Sequence, residues 1–207
     1  MDIHFDGVRK RRGAFELGPL DLRVASGEYL VLVGPNGAGK TTLLYLVAGF
    51  LSPDAGRLRL DGEDAGPKPP EAREAAFVFA EPMLFPHLTV AENVGFPRRH
   101  GSVPGEEIDA ALDLLGIRSL AGRRPGQLST GQSRRAEIAR ALVSRPRVLL
   151  LDEPYASIDV ADRGAIASSV RAIAAERGIT VLHVSHQEES VALGDAVVRL
   201  RGGRIEA

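Results

Sequence analysis

Residues Gly34-Pro35-Asn36-Gly37-Ala38-Gly39-Lys40-Thr41 follow the pattern G-x-x-x-x-G-K-[ST], and their flanks restrict the fold more than any other stretch. Before them stands Tyr29-Leu30-Val31-Leu32-Val33, a continuous β-favouring run that suits a strand buried on both faces. After them, residues 41–48 read as a helix. Strand, glycine-rich turn and helix in that order build an anion cradle. Glycine lets the backbone approach closely, so consecutive N–H groups turn inward, and the helix start adds its positive dipole end. Lys40 is placed for the β- and γ-phosphates of a nucleotide, Thr41 offers a hydroxyl to Mg²⁺, and Thr42 extends the cradle.

A second buried run, residues 148–151, ends in Asp152-Glu153. The expected geometry is a strand lying parallel beside Tyr29–Val33 and delivering Asp152 to the crevice at the strand ends. Asp152 then holds Mg²⁺ through water, and Glu153 polarises the attacking water. Asp-Glu-Pro after a strand also reads as a helix N-terminus. Its pairing with the cradle favours the catalytic reading.

Other expected strands are residues 20–24, 57–61, 76–79 and 179–184, with a turn at 53–56 and a loop over 63–73. Helical patterns cover 106–115, 132–143 and 163–177; residues 196–200 and 204–205 pair as a hairpin across Gly202-Gly203. Strands alternating with helices imply an α/β fold with a mainly parallel sheet. Pro82, Pro86, Pro97 and Pro104 break up the segment from 82 to about 127. With the helix that follows, about 82–140 reads as an inserted helical lobe within one domain of 207 residues.

Composition narrows the partners. Net charge is -1, so no broad basic excess points to nucleic acid. The basic run Arg9-Lys10-Arg11-Arg12 reads as a solvated turn, with a role near phosphate or lipid as the alternative. The absence of cysteine excludes disulfides, thiol nucleophiles and Cys-based metal sites. The N-terminus lacks the apolar core of a signal peptide, and no apolar run approaches the ~20 residues of a membrane helix. A soluble protein is expected, joined to a membrane only through partners.

The remaining motifs carry a family resemblance. Leu128-Ser129-Thr130-Gly131-Gln132, followed by Arg135 and Ala139-Arg140-Ala141-Leu142, is similar to the LSGGQ signature of ABC ATPases. Ala156-Ser157-Ile158-Asp159 resembles their D-loop, and Val184-Ser185-His186 their switch-histidine strand end. Phe85-Pro86-His87-Leu88-Thr89-Val90-Ala91-Glu92-Asn93-Val94 resembles a stretch of bacterial importer ATPases for oxyanions, sugars and polyamines. The order holds over nearly the whole chain.

The resemblance implies a P-loop NTPase fold with antiparallel N-terminal strands, ATP and Mg²⁺ as cofactors, and a head-to-tail dimer with a second such subunit. Each ATP is then clamped between one subunit's cradle and the other's signature, where Ser129, Gly131 and Gln132 aim a helix N-terminus at the γ-phosphate. His186 holds the γ-phosphate and helps Glu153 place the water. Asp159 supports the facing site, although it also reads as an ordinary helix N-cap. Expected partners are transmembrane permease subunits, engaged through residues 80 to 96, and a solute-binding protein. The place of work is the cytoplasmic face of the membrane.

Four departures bear on rate. Ala80 stands where the family has a glutamine touching Mg²⁺ and water, so slowed hydrolysis or weakened coupling is expected; Glu81 faces the other way if the strand continues. Thr130 replaces a signature glycine, a cost if that position needs positive φ or a close phosphate approach, so weaker closure is expected. Arg11-Arg12 lies near the place of the adenine-stacking aromatic, and Phe15 reads rather as core. The stretch Gln187-Glu188-Glu189-Ser190 lacks the usual Asp. No C-terminal regulatory β-domain follows Ile205, so regulation of that kind is not expected. Two other readings stay open: a non-transport ABC ATPase, and a weakly hydrolysing regulatory subunit.

Overall fold

The computed structural model of the protein describes residues 1–96, 102–186 and 188–206. Pro97 and Gln187, used in the motif reading, lie outside the described residues. The N-terminal third holds β1 (Ile3–Arg12), β2 (Phe15–Val24), β3 (Tyr29–Val33), α1 (Lys40–Ala48), β4 (Ala55–Leu60) and β5 (Glu63–Asp64). Then come β6 (Ala75–Val78), α2 (Val90–Val94), α3 (Gly105–Leu114) and α4 (Thr130–Val143). The rest is β7 (Val148–Asp152), α5 (Val160–Glu176), β8 (Thr180–Ser185), β9 (Ala196–Arg201) and β10 (Arg204–Ile205).

Two sheets result. A six-stranded sheet has the order β10-β9-β3-β8-β7-β6, parallel throughout except for β10, and an antiparallel sheet has the order β2-β1-β4-β5. One expectation is corrected here. β7 does not lie beside β3: β8 runs between them, pairing Leu32 with Val184 on one side and Asp152 with Val184 on the other. Strand adjacency depends on where each crossover helix packs, which local sequence does not encode.

The β-strand period sorts the apolar runs into two cores. Tyr29, Val31 and Val33 join Leu149, Leu151 and Val181 on one face, with α5 and the helices of residues 82–140. Leu30 and Leu32 join Val148, Leu150, Leu182 and Val184 on the other, with α1 and the antiparallel sheet. Burial on both faces is why these strands read as continuous apolar runs. α1 is apolar almost all round because its side chains share one core with both sheets.

Other expectations shift. Arg9–Arg12 is the end of β1, not a solvated turn: Lys10 pairs with Leu17 and Arg11 with Glu16. Acids answer its cations, with Arg9–Glu16 at 3.0 Å and Lys10–Asp54 at 2.7 Å, so charge does not oppose pairing. β4 starts at Ala55, inside the expected turn. α4 and α5 start two and three residues early, at Thr130 and Val160. Residues 63–73 are not a plain loop. They contain β5, a 3-10 turn at Pro70–Ala72, and Arg73, which is 2% exposed. Arg73 donates to the carbonyls of Leu46 (2.5 Å), Val47 (3.1 Å), Ala65 (2.6 Å) and Lys68 (2.9 Å).

Within the helical segment, Thr89 and Glu92 form a reciprocal cap that starts α2. Asn93, fully buried, accepts from the Phe85 N–H at 2.7 Å and donates to the carbonyls of Phe85, Leu88 and Thr89. One amide thus holds the Phe-Pro-His-Leu-Thr loop in shape. Among the described residues, no helix is long and apolar enough to cross a membrane.

Candidate active site

At the C-terminal ends of the parallel strands a cavity of about 920 Å³ is lined by residues 36–42, Asp152, Glu153 and Ala80. Gly39 starts α1 in the left-handed region, φ 102°, without any side-chain cap, so the first N–H groups of the helix are left for an anion. A Cβ at Gly39 would press on the ends of the Leu17 side chain at 2.7 Å and the Phe15 ring at 2.9 Å, and at φ 102° any residue with a side chain is strained. Lys40, 7% exposed, folds back onto the carbonyls of Gly34 (2.7 Å) and Pro35 (3.1 Å). Burial lowers its pKa; the charges of Glu153 and Asp152 oppose that.

Asp152, at the end of β7, accepts a hydrogen bond from the Thr41 hydroxyl at 2.9 Å. Its carboxyl pKa is raised, mainly by burial. Among the described residues no group of three or more acidic, His or Cys ligands exists. Mg²⁺ takes one or two hard protein oxygens and completes its shell with water and phosphate. The Thr41 hydroxyl and Asp152 carboxylate are such a donor pair.

Glu153 has φ 49°, rare for a side-chain-bearing residue. Its N–H donates to the Val184 carbonyl at 3.0 Å, which holds that turn, and its Oε1 lies 2.9 Å from His186 Nδ1. His186 follows β8, so the intervening strand that the sequence did not place is what brings this histidine to the carboxylate. Gly34, Pro35 and His186 line an adjoining pocket rather than the main cavity. Arg12 and Phe15 both line the main cavity, and Phe15 also packs on the core.

The signature residues are elsewhere. Ser129, Gly131, Gln132 and Asp159 line a separate pocket of about 300 Å³ that shares no lining residue with the cradle cavity. Ser129 caps α4, accepting from Gln132 N–H at 3.2 Å while its own N–H donates to Gln132 Oε1 at 3.0 Å. A Cβ at Gly131 would meet the Ser157 carbonyl at 2.8 Å, so this glycine sets how closely the signature approaches residues 156–159. Thr130 is the first residue of α4 and is not among the residues with positive φ, so the feared backbone cost does not arise. Asp159 holds the N-cap position of α5 but makes no side-chain capping bond. β6 ends at Val78, so the strand argument about Glu81 does not hold; Ala80 faces the cavity, and Glu81 is exposed.

Beneath this site is a network that motif matching missed. His183 in β8 is 1% exposed, its Nδ1 lies 3.2 Å from the Tyr29 hydroxyl, and the Tyr155 ring stands near-perpendicular to it with centroids 5.3 Å apart. Burial pushes the imidazole pKa down to about 3. The unfolded chain therefore binds this proton first, and stability present above pH 6.5 is lost as pH falls toward 3. From pH 8 to pH 5 this group removes about 2 kcal/mol. His183→Gln keeps a partner for Tyr29 and does not titrate; denaturant melts at the two pH values then show a fall smaller by about that amount. Equal falls in the two proteins would remove His183 as the cause.

A glycine-rich cradle at an uncapped helix start on a parallel sheet, with a hard-oxygen pair and a carboxylate beside it, defines a nucleoside triphosphate-binding α/β cassette. The chain belongs to the ABC transporter family, whose model matches residues 17–156. It is 45% identical over 210 residues to the spermidine/putrescine import ATP-binding protein PotA of Nitratidesulfovibrio vulgaris, covering 99% of this chain and 57% of that one. It is 40% identical to the molybdate/tungstate import ATP-binding protein WtpC of Thermococcus kodakarensis, covering 99% and 64%. The chain thus spans somewhat over half the length of these relatives. Among solved structures, the dimeric post-hydrolysis state of the ATP-binding cassette MJ0796 bound to ADP and Pi matches with a TM-score of 0.88 and 28% identity, over 99% of this chain and 97% of that one. A bacterial Atm1-family ABC exporter with ATP bound matches at 0.87 and 30%, over 100% and 38%.

Proposed function

We propose that the chain is the Mg²⁺-dependent ATP-hydrolysing subunit of an ABC importer, working as a head-to-tail dimer. The observation that carries this is the separation of cradle and signature into two pockets of one chain. The two linings have no residue in common, which favours a nucleotide that meets the signature of a second copy or of a related subunit. Residues 34–42 hold the phosphates, with Lys40 released from its own carbonyls onto them. Thr41 and Asp152 would hold Mg²⁺, which would supply charge neutralisation at the phosphate oxygens. Glu153 takes a proton from the attacking water, and His186 fixes the carboxylate and reaches the γ-phosphate. Ser129, Gly131, Gln132 and Asp159 act on the partner's nucleotide.

Met83 and Phe96 within the 80–96 segment are 58% and 43% exposed, and Phe50, stacked on Phe79 just before it, is 46% exposed; these favour the segment as the seat of a permease. The import direction rests on the names of the relatives, and a solute-binding protein goes with that reading. The place of work is the cytoplasmic face of the membrane, reached through those partners. The test is Mg²⁺-dependent ATP hydrolysis by the purified chain, with dimerisation followed by light scattering. Turnover abolished by chelation supports the motor; nucleotide binding without turnover favours a regulatory subunit with an active partner. In the same assay Ala80→Gln, which adds an amide to the cavity wall, raises the rate at least about tenfold. An unchanged rate would show that Ala80 costs nothing.

A further inference from the structure

The most deeply buried charges of α4 face the cradle wall instead of the signature pocket. Arg134 and Glu137 are each 1% exposed and pair at 2.7 Å. Arg134 also donates to the carbonyls of Phe79 and Ala80. Glu137 Oε1 accepts from the N–H groups of Phe79 (3.4 Å) and Met83 (3.3 Å), and Arg140 donates to the Met83 carbonyl at 2.6 Å. Three side chains of one helix therefore hold both polar sides of the backbone between 79 and 83. Ala80 in that segment lines the cradle cavity, and the Arg134 charge acts on Asp152. The same helix carries Ser129 as its cap.

We propose that the Arg134–Glu137 pair is a positioning clamp that makes the cradle wall at Ala80 and the signature end of α4 move as one body. The inference rests on the dimer reading above and adds its link: the chain's own cradle sets the signature edge that it presents to the other copy. A buried ion pair is poor evidence of stability, because apolar residues of similar size often replace it without loss. Its bonds to a segment at the site are what an apolar pair cannot reproduce.

That difference supplies the test. In a Glu153→Gln background, the double variant Arg134→Met/Glu137→Leu is compared with its parent for melting temperature, for binding of a fluorescent ATP analogue by the monomer, and for ATP-driven dimerisation. The expected result is a folded protein whose monomer binds nucleotide within about threefold of its parent, with dimerisation weakened at least about tenfold. Arg134→Met alone, which strands the Glu137 carboxyl, is expected to melt lower still. A folded double variant that dimerises like its parent overturns the clamp and leaves the dimer reading standing. A parent that binds ATP without dimerising overturns the dimer reading, and the clamp with it. Parallel losses of melting temperature, monomer binding and dimerisation make the pair merely structural and also overturn it.

Discussion

Glu153→Gln lowers ATP turnover by about 10³-fold, while an ATP-bound dimer accumulates. Its geometry separates shape from chemistry. The backbone at Glu153 sits at φ 49°, fixed by its N–H to the Val184 carbonyl and not by the carboxylate, so an isosteric amide keeps the turn. The amide still meets His186 at the site of the 2.9 Å contact but takes up no proton from water. Phosphate release assays and light scattering with ATP check the two halves. Turnover within threefold of wild type would remove Glu153 from the role of base.

The second large effect is on stability. Arg73→Met lowers it by about 4 kcal/mol, a fall of about 10 °C in Tm for a chain of this size. Arg73 is the partner of two carbonyls in the last turn of α1, Leu46 and Val47, and of Ala65 and Lys68 in the following loop. A helix C-terminus favours a cation, and buried carbonyls without donors are costly. Methionine fills the volume and supplies no donor. Arg73→Lys keeps the charge but not the fork, and recovers less than half of the loss. Thermal melts of the three proteins decide it; a shift below about 3 °C for Arg73→Met would mean that water replaces the guanidinium freely.

Much of the site was legible because its parts are local. The cradle needs one strand end, glycines and one helix start, all within residues 29–48. Asp152 and Glu153 end a run too apolar to be anything but a buried strand. The reciprocal cap at Ser129 and Gln132 obeys a three-residue spacing. Misread pieces depended on distant partners. The basic run Arg9–Arg12 became strand because Glu16 and Asp54 neutralise it. Arg73 hid in a stretch of loop composition because its acceptors lie 5 to 27 residues away. Arg134 and Glu137 had one local signal, two opposite charges at i and i+3 in a helix whose later turns are apolar but for Arg140.

By itself the sequence determined the elements and the chemistry they carry: a phosphate cradle, a carboxylate pair, a signature segment leading into a helix, and a family. Hydrogen-bond periods and short motifs fix these within a few residues of chain. Only the tertiary structure decided that β8 separates β3 from β7, that His186 meets Glu153, that cradle and signature line different cavities, and that α4 grips the wall at Ala80. Those facts are set by which faces share a core and where buried charges find partners, and both depend on contacts between residues far apart in the chain.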